Sequence, residues 1–296
     1  MSILGMAIAV AAAFFIGLGF VAQQHAAFRE PLSEILHPRL LLELMRSRLW
    51  LAGIASMITG QIIFAFALNI ADVAVVTPVL TVNLIFALIA AHVIYREHLG
   101  PSEWWGALLL TGGVALFLGV GLPHGGALPG VYSPRWLAGA VVLALACLCA
   151  FGSLHRYLRV RAMLLACGAG LLYGLQDTLT RSVLLVVDNG VTRALVTWQP
   201  YSLVGIGALG LLFAQSAFDA APLRISLPAT TAAEPLTGIA LSIVIFGERV
   251  ELSVAGLALE ALGLAGMVAG IFVLGRSPYL GKPGEHPSSP ADGVGC

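Results

Sequence analysis

Charge is what this chain has least of. Only 10% of its 296 residues are Asp, Glu, Lys or Arg, while 59% are hydrophobic and mean hydropathy is +0.95. A soluble domain of this size carries about 25% charge. Water is therefore excluded as the main solvent, and the composition implies a multi-pass membrane protein in a lipid bilayer. The 15 basic and 15 acidic residues cancel, so no basic face is left for nucleic acid. Cysteine is scarce as well. Cys147 and Cys149 share one apolar segment, Cys167 lies in another and Cys296 is near the end, a spacing that fits neither a disulfide framework nor a metal site. Enzyme motifs are missing too: there is no GxSxG, no HExxH and no P-loop with its lysine. The histidines (His25, His37, His92, His98, His124, His155, His286) are scattered without ligand spacing. Nothing calls for a cofactor. The first apolar stretch, Ser2 to Ala22, has no Lys or Arg before it and no clear cleavage site after it, so it reads as a retained helix.

What the chain does have is long apolar runs. A helix needs about 20 residues to cross a hydrocarbon core of about 30 Å. Nine runs meet that length: Ile3–Gln23, Leu49–Leu68, Val73–Tyr95, Glu103–Gly121, Pro134–Ser153, Arg161–Val187, Ala194–Phe218, Pro222–Gly247 and Ser253–Leu274. They are too uniformly apolar to alternate as barrel strands do. The expectation is an all-α integral membrane protein with nine, or with a further break ten, crossings. Between the first two runs, Gln24 to Arg48 mixes charge with leucine, and Leu40 to Met45 looks amphipathic, which suits the membrane surface. The tail 276–296 is rich in Pro, Gly and Ser and is expected to be disordered.

The basic residues give an orientation. With the N-terminus outside, Arg29, Arg39, Arg46, Arg48, Arg96, Arg156, Arg159, Arg161, Arg224, Arg276 and Lys282 fall inside. Only Arg135, Arg181, Arg193 and Arg249 fall outside. The positive-inside rule then places the C-terminus in the cytoplasm and the protein in the inner or plasma membrane.

The chain also repeats. A shift of 150 pairs Gly60 with Gly210, Ala67 with Ala217, Pro78 with Pro228 and Thr81 with Thr231. One residue of slip pairs Glu97 with Glu248, and a shift of 153 pairs Gly17 with Gly170 and Gln23 with Gln176. Runs one to four thus match runs six to nine. The fifth, 134–153, connects repeat one (1–121) to repeat two (161–275). Four helices plus one connector put the second copy into the membrane upside down, an arrangement recurrent in secondary transporters with a midplane site. A duplicated membrane scaffold that transports nothing is the reading from another class.

Polar residues inside such segments are candidates for substrate or ion binding. Glu234 leads, next to Pro235 and near Thr230, Thr231, Gly238 and Ser242 at helical spacing. Gln176 and Asp177 follow, although Asp177 and Arg181 at i, i+4 suit a simple pair. Gln23, Gln61, Thr81 and Asn83 could line the first half's share of a cavity, and Tyr173 could reach it from the second. Pro78, Pro228, Glu97 and Glu248 recur in both copies and read as helix-end architecture. Gly106, Gly113 and the Gly266–Gly270 step suit close helix packing, within the chain or in a homodimer.

The repeated unit reads VVTPVLTVNLIFALIAAHVIYREHLGPSEWWGALLLTGGVALF, then ISLPATTAAEPLTGIALSIVIFGERVELSVAGLALEALGLAGM. It resembles the drug/metabolite transporter superfamily, EamA-like, over nearly the whole chain to Arg276. That resemblance implies a transporter of small metabolites, with inverted halves around a central cavity and usually ten helices. Here one helix precedes Trp50 where the usual first half has two. In this the first half resembles the NIPA-type magnesium transporters. Trp50, Gly53, Met57, Gly60, Phe64, Ala67, Val76, Thr77 and Pro78 fit that pattern. Gln61 stands where such proteins tend to carry an acid, and Glu234 and Asp177 are then the carboxylates left for a divalent cation.

Overall fold

The computed structural model describes residues 3–31, 35–70, 79–97, 99–121, 135–187, 195–246 and 253–276. The described residues form ten helices. They are α1 (Ile3–Ala27), α2 (Pro38–Leu44), α3 (Arg48–Ile70), α4 (Asn83–Tyr95), α5 (Pro101–Gly121), α6 (Arg135–Ser153), α7 (Leu158–Val187), α8 (Gln199–Ala220), α9 (Leu223–Phe246) and α10 (Val254–Gly275). Eight of them are long and apolar enough to cross a membrane. The ninth expected crossing is α4, which is apolar but only 13 residues long. At 1.5 Å per residue it covers about 20 Å, short of the hydrocarbon core. Residues 71–78 of that run, with Pro78, lie outside the described residues, as do Glu248 and the tail from 277.

The surface has the pattern of a protein solvated by lipid. Phe151, Val204, Leu262 and Val268 are all exposed, among many other large apolar side chains. Such a surface aggregates in water and is at rest against acyl chains. α2 lies across one end with Leu40 and Leu44 buried and Leu42 and Glu43 exposed, the amphipathic pattern expected of that stretch. Its N-cap is His37, whose Nδ1 accepts from the Arg39 amide.

α1 packs on α3 and α4, and α7 packs on α8 and α9, while α5 and α10 pack on each other. α6 lies against α7 and touches α9. Small residues make these contacts close. A Cβ at Gly113 would sit 2.6 Å from the Met267 nitrogen and 2.7 Å from the Gly263 oxygen, and one at Gly270 would sit 2.6 Å from the Leu110 nitrogen. The glycine step of α10 is thus occupied within the chain. α7 and α9 meet in the same manner: a Cβ at Gly174 would lie 2.6 Å from the Glu234 oxygen.

Several helix ends differ from the apolar runs for local reasons. α1 runs on to Ala27, because Gln23 and Gln24 are buried and the His25 ring stacks on Tyr95 at 3.7 Å. α8 starts at Gln199 with Trp198 as N-cap, since Pro200 is suited to a first turn. Trp198 meets Trp136 with ring centroids 4.4 Å apart.

Candidate functional site

A cavity of about 390 Å³ lies between the first-half helices α1 and α3 and the second-half helices α7 and α8. α3 supplies Ile54, Met57, Ile58, Gln61, Ile62 and Ala65, α1 supplies Phe20 and Gln23, and α7 supplies Tyr173. From α8 come Leu211, Ala214, Gln215 and Phe218. Three of the sequence candidates, Gln23, Gln61 and Tyr173, are therefore brought to one space. They come from three helices, and Tyr173 comes from the other half.

One end of the cavity is closed by polar side chains. The Trp50 Nε1–H donates to Gln215 Oε1 at 3.1 Å, and Gln215 Nε2 donates to Gln23 Oε1 at 2.7 Å. Gln23 Nε2 in turn faces the Met57 thioether. All three residues are nearly or fully buried. Phe20 and Phe218 meet edge to face at 6.3 Å beside them. Each of the two amide bonds and the ring contact joins a helix of the first half to α8. We call this the Trp50 end.

Charges gather at the same end, where α1, α4 and α8 finish and α3, α7 and α9 begin. Glu97 follows α4 and pairs with Arg224 on α9 at 3.4 Å, both side chains being largely buried. Burial holds the Glu97 carboxyl above the ordinary carboxylate range, and Arg224 pulls against that. Asp219, fully buried on α8, lies within electrostatic reach of Arg161 on α7. The Leu36 amide donates to Ser216 Oγ at 2.9 Å, tying the segment before α2 to α8. Glu97, read from the sequence as a helix-end residue, is also a tie between halves.

The other candidates lie outside the cavity lining. Glu234 sits on α9 against α7 and feels the charge of Asp177. Tyr173, which lines the cavity, lies within electrostatic reach of Glu234. Gln176 faces α8, where a Cβ on Gly207 would meet its Oε1 at 3.1 Å. Two of the hydroxyls expected around Glu234 are used elsewhere, and the Ser242 side chain lies outside the described ones. Thr230 donates to the Ala166 carbonyl of α7 at 3.0 Å, and Thr231 donates to Leu227 of its own helix. Thr81 donates to the Thr111 carbonyl at 3.5 Å, and Asn83 Oδ1 has no hydrogen-bond partner among the described residues. Pro228 and Pro235 both lie inside α9.

Sequence reasoning passed over Trp50 as a site residue, and over Gln215, Asp219 and Met57. A signal was present: Gln215 and Asp219 are an amide and an acid four apart in an apolar run, LLFAQSAFDA.

Comparisons with known proteins find transporter relatives. Residues 31–119 match the EamA-like transporter family. An uncharacterised protein of Corynebacterium glutamicum is 28% identical over 256 residues, 84% of this chain and 87% of that protein. A probable 4-amino-4-deoxy-L-arabinose-phosphoundecaprenol flippase subunit ArnE of Pseudomonas fluorescens Pf-5 is 37% identical over 68 residues, 23% of this chain and 59% of that subunit. Its counterpart in strain Pf0-1 is 34% identical over the same length. No solved structure matches significantly.

Proposed function

We propose that this chain, whose residues 31–119 match the EamA-like transporter family, is a secondary transporter of the drug/metabolite superfamily moving a small polar solute by alternating access through the cavity between α1, α3, α7 and α8. One observation carries the reading. The ties between the two halves, Trp50–Gln215–Gln23 and Glu97–Arg224, gather at one end of the cavity. A transporter with its site between two halves has to close one end at a time, and polar ties at that end are the device that closes it.

The basic residues put the Trp50 end in the cytoplasm, so this is an outward-facing form with the inner gate shut. Glu234 and Asp177 carry the coupling proton. Two carboxyls within electrostatic reach inside a membrane cannot both ionise cheaply, and Tyr173 links them to the cavity wall. A magnesium reading finds less support. Mg²⁺ is usually held by one or two carboxylates and keeps its waters. Among the described residues no carboxylate lines the cavity and no three His, Cys, Asp or Glu side chains gather.

The test is reconstitution of the full chain with a panel of solutes and divalent ions, paired with Glu234→Gln. Uptake that loses its pH dependence in the variant supports the assignment. Uptake and pH dependence both unchanged would remove Glu234 from the mechanism.

A further inference from the structure

We propose that the cavity takes an uncharged amphiphile, with a hydrogen-bonding head and an apolar tail, admitted sideways from the bilayer between α3 and α8; this rests on the transport reading above.

The head group follows from the lining. Among the described residues its polar members are Gln23, Gln61, Tyr173 and Gln215, and none is charged at neutral pH. An ion entering here exchanges its water for amides and a phenol, with no countercharge in the wall. A hydroxyl or carbonyl fits better. The Gln23 amide nitrogen faces only a thioether, a weak acceptor, so a ligand oxygen taking the place of Met57 improves its hydrogen bond.

The tail follows from the missing wall. Among the described residues α3 packs closely on α1 and has no comparable packing on α8. What joins α3 to α8 is the bond from Trp50 to Gln215 at the closed end. Past it, Ile58 and Ile62 line the cavity and are yet 55% and 54% exposed, in the middle of a membrane-crossing helix. Among the described residues nothing covers that side, so the mouth opens on hydrocarbon. From Ile54 to Ala65 the slot follows α3 for about 16 Å, more than half the hydrocarbon core. An alkyl chain can lie there half in protein and half in lipid, while its head reaches the glutamines.

The experiment uses the full chain in phosphatidylcholine vesicles. The native cysteines are replaced by serine, and Ala65→Cys in the cavity wall is the reporter. Its rate of reaction with N-ethylmaleimide is followed with dodecyl glucoside at trace mole fraction, with glucose, and with dodecyltrimethylammonium. Several-fold slower labelling with dodecyl glucoside alone is expected. Ile58→Trp, which fills the slot, should abolish that protection, as should Gln23→Leu, which removes the amide that bonds the head. Thermal unfolding checks that each variant is folded. Equal protection by glucose overturns the tail and the sideways entry. Equal protection by dodecyltrimethylammonium overturns the uncharged head. Unchanged labelling with all three overturns the site. Exchange between open ends is read separately, without any ligand, by distances between labels at the two ends. If the ends exchange and nothing protects, the amphiphile assignment falls and the transport reading stands; if dodecyl glucoside protects and the ends never exchange, the reverse holds.

Discussion

Gln215→Leu is the substitution that should act most selectively on the joint between the halves. Leucine keeps the buried volume and the apolar packing against Phe20 and Phe218, so no cavity opens. Two interhelical hydrogen bonds go: Trp50 Nε1 loses its acceptor and Gln23 Oε1 loses its donor. Interhelical hydrogen bonds inside membrane proteins are worth about 0.6 kcal/mol on average and up to about 1.7. Two of them sum to about 1–3 kcal/mol, which is roughly 5- to 150-fold in the ratio of closed to open forms. The charged tie, Glu97 with Arg224, stays in place, so the fold should hold. Spin labels at Arg46 and Tyr157, both exposed near this end, report the separation of the halves. The variant should shift population to longer distances, and Gln215→Glu, which keeps the acceptor for Trp50, should shift it less. An unchanged distance distribution in Gln215→Leu would refute the idea that these bonds hold the end shut.

Other consequences can be measured alongside. The folded chain holds the Glu97 proton more tightly than the unfolded chain does, because burial raises that carboxyl. Stability from this group is therefore full below the ordinary carboxylate range and falls as pH rises from there to the raised value. Glu97→Gln should remove that slope from thermal unfolding in detergent across the acidic range. Gly113→Ala puts a methyl 2.6 Å from the Met267 nitrogen and should cost about 1–3 kcal/mol by overpacking. Gly112→Ala meets nothing within 4 Å and should be neutral or slightly stabilising. A thermal-shift comparison of that pair tests whether α5 and α10 touch as described. Gly174→Ala, against the Glu234 backbone, should lower stability and alter transport pH dependence together, whereas Gly205→Ala on open surface should alter neither.

The fold was largely legible because bilayer crossing imposes one strong requirement, a run of apolar residues of fixed length. Eight such runs appear as membrane-length helices, and the amphipathic stretch after the first became α2. The run Val73–Tyr95 was less legible. Val79 to Val82 ends in a turn, and regular helix resumes only at Asn83. Hydropathy counts apolar side chains and does not register where backbone bonding breaks.

The site was half legible. Gln23, Gln61 and Tyr173 stood out as polar groups in apolar surroundings, and they meet in one cavity. Nothing in the order of residues says that Trp50 meets Gln215, 165 positions away, or that Glu97 meets Arg224, 127 positions away. Such pairings depend on how the halves come together, which spacing along one helix does not encode. Glu234 drew notice as an acid inside a helix, yet its backbone lies against α7 and it is not among the described residues that line the cavity. The repeat makes Gln23 and Gln176 equivalent by position and says nothing of contacts; in space Gln23 accepts from Gln215.

The account's central claim is that the two halves close one end of the cavity at a time. Its most direct test is a pair of distances in the same vesicles. Labels at Arg46 and Tyr157 report the Trp50 end, and labels at Phe66 and Val204, both exposed, report the other. As pH is varied, and again in Gln215→Leu, the two distances should change in opposite directions, one lengthening as the other shortens. Two ends that stay fixed, or that widen and narrow together, would contradict alternating access in this protein.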